Sequence, residues 1–173
     1  MVTQPAGPEE LTVIGGRPVE AFDQHGGTAL VELRCERVGP PPRAGGSPGT
    51  SFRVTVHNAP PIVRDRGPDA DDVTAGSSVC GEGASLWEAL VRAREILDAW
   101  GWLLPIAASR RDRWCAHAQR HPDMCVVHPF ADFENSEGML EIAPPDTVVT
   151  VAAQREAYLT WAWTHVGAAW GEA

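Results

Sequence analysis

The sequence contains no lysine, because all 14 basic residues among its 173 are arginines, set against 23 aspartates and glutamates. A domain of this size normally carries about ten lysines. The absence excludes functions that need a lysine base, a lysine Schiff base or an ammonium group that binds phosphate. It also leaves no side-chain amine for acylation or ubiquitin-like conjugation. The abundance of alanine, glycine and proline indicates GC-rich coding as the source of the bias.

Long apolar runs and an excess of positive charge are missing as well. No stretch approaches the roughly 18 consecutive apolar residues of a transmembrane helix. The first ten residues hold neither the basic nor the apolar region of a secretory signal, so we expect a cytoplasmic protein with reduced cysteines. The net charge of −9 argues against binding to nucleic acid or to anionic membranes and suits a cationic partner.

Two stretches, residues 31–36 and 52–57, alternate apolar and polar side chains with the period of a half-buried strand. The alternation predicts an antiparallel pair with a core face formed by Val31, Leu33, Cys35, Phe52, Val54 and Val56. The same alternation predicts that the polar side chains are exposed, namely Glu32, Glu36, Arg53 and His57. Three consecutive prolines between the two stretches predict a long loop over residues 38–50.

The N-terminal part of the chain predicts less regular structure. Residues 1–10 are interpreted as a flexible tail. Residues 11–14 and 17–22 flank Gly15 and Gly16, a pattern that predicts a short hairpin. Residues 59–83 are polar and show little periodicity, so they predict a second long loop, with no convincing strand before the first helix.

Two helices follow. Ser85 and Glu88 have the spacing of a capping box, and Gly101 suits a left-handed C-terminal position, so the spacing predicts a helix over 86–100. Its apolar face holds Leu86, Leu90, Ala93, Leu97 and Trp100. A second helix is predicted over 150–169, with an apolar stripe of Leu159, Ala162, Val166 and Trp170. Short strands are predicted at 102–107 and 138–142.

Together these elements predict an α+β fold in which an antiparallel sheet of about four to six strands carries two main helices on one face. Residues 11–173 are expected to form one domain. We find no internal repeats and no alternation of strands and helices of the βαβ type.

Five side chains that can ligate a metal lie within residues 115–128, at Cys115, His117, His121, Cys125 and His128. Zinc prefers four tetrahedral Cys or His ligands, which makes Cys115, His117, His121 and Cys125 the metal site that we predict. The spacing matches no common zinc finger, and one short segment offers no second element to clamp the ion. The alternative is a loop of solvated histidines and packed cysteines, in which case the protein needs no cofactor.

Three further groups of residues, one of aspartates, one of arginines and one of tryptophans, predict a surface that binds another protein. The arginine cluster Arg110, Arg111 and Arg113 can pair with carboxylates, although Asp112 can instead neutralise it within the chain. Tryptophans two residues apart on a helix cannot both face one core, so one of them is expected to reach solvent or a partner. The predicted partner-binding residues are Asp69, Asp71, Asp72, Arg110, Arg111, Arg113, Trp161 and Trp163.

Two segments carry a family resemblance. Residues 83–90 and 101–104, followed by Arg110 and Asp112, resemble small uncharacterised proteins of GC-rich, actinobacteria-like bacteria, and residues 151–154 with Tyr158 and Trp161 are similar to their C-terminal helix. The resemblance implies an immunity or accessory protein. Such relatives often carry a Ser-Gly-Met turn after the strand, which residues 115–125 replace here.

The functional prediction is a small acidic cytoplasmic protein that binds another protein as an immunity protein, an inhibitor or an accessory subunit, and its charge favours a basic partner. We do not expect an enzyme, because the chain holds no G-x-S-x-G, P-loop or H-E-x-x-H motif. Two alternatives stay open. One is a metal-stabilised regulatory or scaffold protein that uses residues 115–128, and the other is an enzyme with an unrecognised Cys/His site.

Overall fold

A computed structural model of the protein describes residues 11–39, 50–60, 77–115, 122–123, 126–130 and 136–167. The predicted tail 1–10 and most of the loops predicted at 38–50 and 59–83 lie outside these ranges. The main sheet is antiparallel, with the order β4-β3-β2-β1-β5. Its strands are β1 Leu11–Asp23, β2 Thr28–Val38, β3 Ser51–Ala59, β4 Ser77–Gly83 and β5 Trp102–Leu103. The helix α1, Leu86–Ala99, packs across β3 and β4.

A second, smaller sheet and a second helix complete the described fold. This sheet has the order β6-β7-β8 and consists of β6 Arg113–Trp114, β7 Val126–Pro129 and β8 Glu137–Gly138. The helix α2, Val151–Ala162, contacts α1 and is followed by a π-helical turn, Trp163–Gly167. The predicted α+β class, with an antiparallel sheet and two helices, is confirmed.

The predicted pair of β2 and β3 is confirmed in its core face. The strands pair with Leu33 opposite Val56 and Cys35 opposite Val54, and all six side chains predicted to face the core are at most 1% exposed. The predicted exposure of Glu36 is wrong, since only 6% of this residue is accessible. Its carboxylate pairs with Arg34 Nε at 2.9 Å, which compensates the charge on the sheet face.

The hairpin predicted around Gly15 and Gly16 is wrong. β1 is one continuous strand that is irregular between Val13 and Gly15, and a Cβ on Gly16 would lie 2.5 Å from the Leu33 carbonyl oxygen. The turn to β2 instead follows Asp23, whose Oδ1 accepts the amides of His25 and Gly27 at 2.8 Å each. The two glycines therefore serve a bulge and a close approach of two strands.

The loop prediction is also wrong for residues 77–83, which form β4. This strand is poor in typical β-formers, and one of its glycines allows α1 to approach the sheet closely. A Cβ on Gly81 would collide with the Ala89 carbonyl oxygen and the Ala93 amide of α1. Glycine at this position therefore brings the helix backbone directly onto the sheet.

The prediction for α1 is confirmed at both ends. Ser85 Oγ accepts the Glu88 amide at 3.1 Å, and Glu88 Oε2 in turn accepts the Ala84 amide at 2.9 Å. Trp100 closes the helix, and Gly101 follows in the left-handed region with φ of 85°. An i,i+4 ion pair between Glu88 and Arg92, at 2.5 Å, stabilises the helix on its outer side.

The two short strands are shorter than predicted. Only Trp102–Leu103 of residues 102–107 belongs to β5, since Pro105 interrupts the strand and Ile106 forms an isolated bridge to Ile142. Only Gly138 of residues 138–142 belongs to β8. No helix in the described part of the chain is long and apolar enough to cross a membrane.

The apolar stripe predicted for α2 is wrong at Leu159, which is 59% exposed. The buried residues of α2 are instead Val151 and Gln154, at its first turn. Trp170 and the side chain of Val166 lie outside the described part of the chain. The helix is thus anchored at its N-terminal end, and its later turns are held by aromatic side chains.

Candidate functional site

A cluster of aromatic rings attaches α2 to the small sheet. Trp114 of β6 stacks on Tyr158 of α2, with ring centroids 4.5 Å apart and planes 7° from parallel. Trp87 of α1 meets Trp114 edge-on at 5.2 Å. Phe130 contacts Tyr158 at 5.6 Å. These contacts connect α1, α2 and the small sheet, so the surface that α2 presents is held on a packed base.

Trp161 extends this cluster. Its ring lies 5.8 Å from Phe130 and 6.1 Å from Tyr158, and it stacks on His165 at 5.5 Å. Its indole Nε1 is buried and has no hydrogen-bond partner among the described residues. Trp161 therefore belongs mainly to the base of α2 and contributes little free surface.

Trp163 points the other way and is 82% exposed, as the two-residue spacing of the tryptophans predicts. Leu159 precedes it by one helical turn and is 59% exposed. Residues four apart lie on the same side of a helix, so these two side chains form one apolar patch, which we call the α2 outer face. The periodicity of the sequence predicts Leu159 in the core, and its exposure in the structure corrects this prediction.

The predicted arginine cluster divides into paired and unpaired members. Arg110 forms a bidentate pair with Asp112, with both N–O distances at 3.1 Å. Arg113 pairs with Asp112 at 2.7 Å and with Glu137 of β8. Arg111 is exposed, and its side chain forms no ion pair with any residue that the structure describes. Arg111 is the member whose guanidinium is most accessible to a partner.

A buried polar network lies beneath the arginine cluster and connects α1 to α2. Arg94 is 2% exposed, and its guanidinium donates to Gln154 Oε1 at 2.8 Å, to the Ala108 carbonyl at 2.7 Å and to the Val149 carbonyl at 3.1 Å. Burial lowers the pKa of Arg94 to about 10, while the charges of Asp98 and Glu95 act to raise it. Arg94 is therefore a cation at neutral pH, solvated by carbonyl oxygens.

Gln154 and Asp98 complete this network. Gln154 Nε2 donates to the carbonyls of Ala108, Arg110 and Arg113 at 2.7–3.0 Å, which fixes the backbone of the arginine cluster. Asp98 Oδ2 accepts the Val151 amide at 2.6 Å, at the start of α2. Burial raises the pKa of Asp98, and the Val151 hydrogen bond and the Arg94 charge oppose the rise. The network thus positions both α2 and the arginine loop.

The predicted metal ligands are only partly described. Cys115 and His128 are buried, 4% and 7% exposed, whereas His117, His121 and Cys125 lie outside the described residues. Within the residues that are described, no group of three or more His, Cys, Asp or Glu side chains could hold a metal ion. Zinc at Cys115, His117, His121 and Cys125 stays a prediction, which elemental analysis of protein purified without chelator tests.

The predicted acidic group Asp69, Asp71 and Asp72 also lies outside the described residues. Of the partner-binding residues predicted from sequence, the structure describes the three arginines and the two tryptophans. It brings Arg110 and Arg113 into intramolecular pairs, turns Trp161 inward and leaves Arg111 and Trp163 exposed. Comparison of the chain with protein-family models and with curated proteins finds no match.

Proposed function

We propose that the protein acts by binding another protein through the α2 outer face, as an immunity protein, an inhibitor or an accessory subunit, and not as an enzyme. The observation that carries the proposal is the 82% exposure of Trp163 beside Leu159. Tryptophan is among the residues that contribute most to protein interfaces, and Leu159 beside it extends the exposed apolar surface that such an interface would bury. A cytoplasmic location is part of the proposal.

The geometry of α2 favours recognition as a helix laid into a groove. Leu159 and Trp163 are spaced as the anchors of that binding mode require. The aromatic base under Tyr158 holds the helix in place before binding, which reduces the entropy lost on association. The net charge of −9 favours a partner whose groove has a basic rim. Asp69, Asp71 and Asp72 are proposed to add to this attraction.

Site-specific photo-cross-linking in the native host tests the proposal. A photoreactive phenylalanine at position 163 is expected to give one discrete adduct, which mass spectrometry identifies. The same group at Leu30, a 69% exposed residue of β2, is the matched control and should not give that adduct. Equal labelling from both positions, or an adduct only between copies of this chain, would overturn the proposal of a heterologous partner.

A further inference from the structure

A cavity of about 490 Å³ opens between the first half of β1 and the turn that follows β8. Its volume falls within the range of about 300–1,000 Å³ that is typical of small-molecule sites. The walls are mostly apolar, and the apolar residues among them are Ile14, Pro18, Cys35, Leu86, Met139 and Leu140. None of these residues belongs to the α2 outer face.

The cavity lies where two positions on the core side of β1 carry no apolar side chain. Gly15 pairs with Cys35, and Arg17 pairs with Leu33. Both partners on β2 are 1% exposed and face the core, and directly opposed residues of an antiparallel pair lie on the same face of the sheet. Gly15 and Arg17 therefore lie on the core side, where one contributes no side chain and the other a cation.

The Arg17 guanidinium is only partly satisfied. Its Nη1 donates to the Leu140 carbonyl oxygen at 3.1 Å, while its Nε is buried without a hydrogen-bond partner in the described part of the chain. No carboxylate among the described residues forms an ion pair with Arg17. A buried donor without an acceptor is costly, and a guanidinium is suited to bind a carboxylate through two parallel hydrogen bonds.

We propose that this cavity binds a small apolar monocarboxylate. The carboxylate pairs with the Arg17 guanidinium, and the hydrocarbon part lies against Ile14 and Leu140, two lining residues that are partly exposed. Glu141 is the other charged residue of the lining, and its Oε1 accepts the Gly138 amide at 3.0 Å. Arg17 neutralises one carboxylate of a ligand, and the negative charge of Glu141 disfavours a second one, so the lining favours a monoanion.

Calorimetric titration with octanoate, octan-1-ol and octanedioate tests the proposal, since the three probes share a carbon chain and differ in charge. Wild-type protein is expected to bind octanoate at least about tenfold more tightly than octan-1-ol, the difference typical of a hydrogen bond to a charged group. Octanedioate should bind more weakly than octanoate. Glu141→Gln keeps the oxygen that accepts the Gly138 amide. This variant should bring the affinities for octanedioate and octanoate closer together.

Two variants test the assigned residues. Arg17→Met keeps the apolar stem and should bring octanoate and octan-1-ol to within about twofold of each other. Gly15→Leu should abolish binding of both octanoate and octan-1-ol. Gly15 lines the cavity, and a Cβ at this position has no atom within 4 Å, so the leucine side chain occupies part of the cavity. Leu30→Ala, outside the cavity, is the control and should bind as wild type does.

Three results would overturn the proposal. They are no octanoate binding by wild-type protein, equal affinity for octanoate and octan-1-ol, and an undiminished octanoate preference in Arg17→Met. Far-UV circular dichroism verifies that each variant is folded. If Arg17→Met does not fold, Arg17→Gln takes its place, with the same loss of octanoate preference expected.

Discussion

Arg94 of α1 and Gln154 of α2 form a buried hydrogen bond, in which Arg94 Nη1 donates to Gln154 Oε1 at 2.8 Å. The two residues are 2% and 0% exposed and lie 60 positions apart in the chain. The buried cation has carbonyl oxygens and one amide as its hydrogen-bond acceptors, and no carboxylate ion pair among the described residues. The placement of α2, and hence of its outer face, depends on this neutral partner.

Replacement of Gln154 by leucine should destabilise the protein by about 3 kcal/mol, because it removes one acceptor of the buried Arg94 guanidinium and the amide that donates to the Ala108, Arg110 and Arg113 carbonyls. Urea denaturation followed by circular dichroism measures the change.

The control is the neighbouring surface change Arg155→Gln, which removes only an exposed pair with Glu95 at 3.2 Å. Arg155→Gln should change the free energy of unfolding by less than about 1 kcal/mol. Similar losses in the two variants would contradict the role of Gln154.

Asp98 predicts a specific pH dependence. Its pKa in the folded state is raised above 3.8 by burial. At pH values between 3.8, the usual pKa, and the raised pKa of the folded state, Asp98 holds a proton in the folded state that it has released in the unfolded state. The free energy of unfolding therefore falls as the pH rises through this window. Asp98→Asn removes the titration and keeps an acceptor for the Val151 amide.

The free energy of unfolding of wild-type protein, relative to Asp98→Asn, should therefore be higher at about pH 4 than at about pH 7. Urea denaturation of both proteins at the two pH values measures the difference. A relative stability that does not change between the two values would show that Asp98 titrates alike in the folded and unfolded states.

Two glycines predict opposite outcomes for the same substitution. Gly81→Ala places a methyl group against the backbone of α1 and should cost about 2 kcal/mol or more. Gly15→Ala meets no atom within 4 Å and should leave the stability within about 0.5 kcal/mol of wild type or raise it. Thermal denaturation of the pair measures both effects. Equal destabilisation would contradict the close approach at Gly81.

The arginine cluster predicts different losses of stability for two of its variants. Arg113→Ala should cost about 2 kcal/mol, because it breaks a partly buried pair with Glu137, whose side chain is 24% exposed. Arg111→Ala should change stability by less than about 0.5 kcal/mol, since the side chain is exposed. Chemical denaturation compares the two variants. A larger loss for Arg111→Ala would reverse the assignment of their roles.

Local signals predict the parts of the fold in which neighbouring residues decide the structure. The alternation in β2 and β3 and the capping box of α1 are such signals, and all three elements are present. The pair of Gly15 and Gly16 predicts a hairpin wrongly because a turn and a bulge use the same residue type. β4 is not predictable in this way, because contact with α1 and not strand propensity requires glycine at position 81.

The candidate site is predictable only in part. Helix geometry alone requires Trp161 and Trp163 to diverge, and they do. The outward orientation of Leu159 does not follow from the sequence, because α2 is anchored by Gln154, a polar residue whose partner Arg94 is distant along the chain. The cavity beside Arg17 is not predictable either, since it depends on the register between β1 and β2.

The affinity of the cross-linked partner for purified variants, measured by calorimetry, decides whether the α2 outer face is the binding surface. The double variant Leu159→Ser with Trp163→Ser should bind on the order of 100-fold more weakly than wild type, as expected for the loss of a tryptophan anchor and its apolar neighbour. Leu30→Ser should bind within about twofold of wild type. Equal affinities for wild type and the double variant would contradict the claim that the α2 outer face is the binding surface.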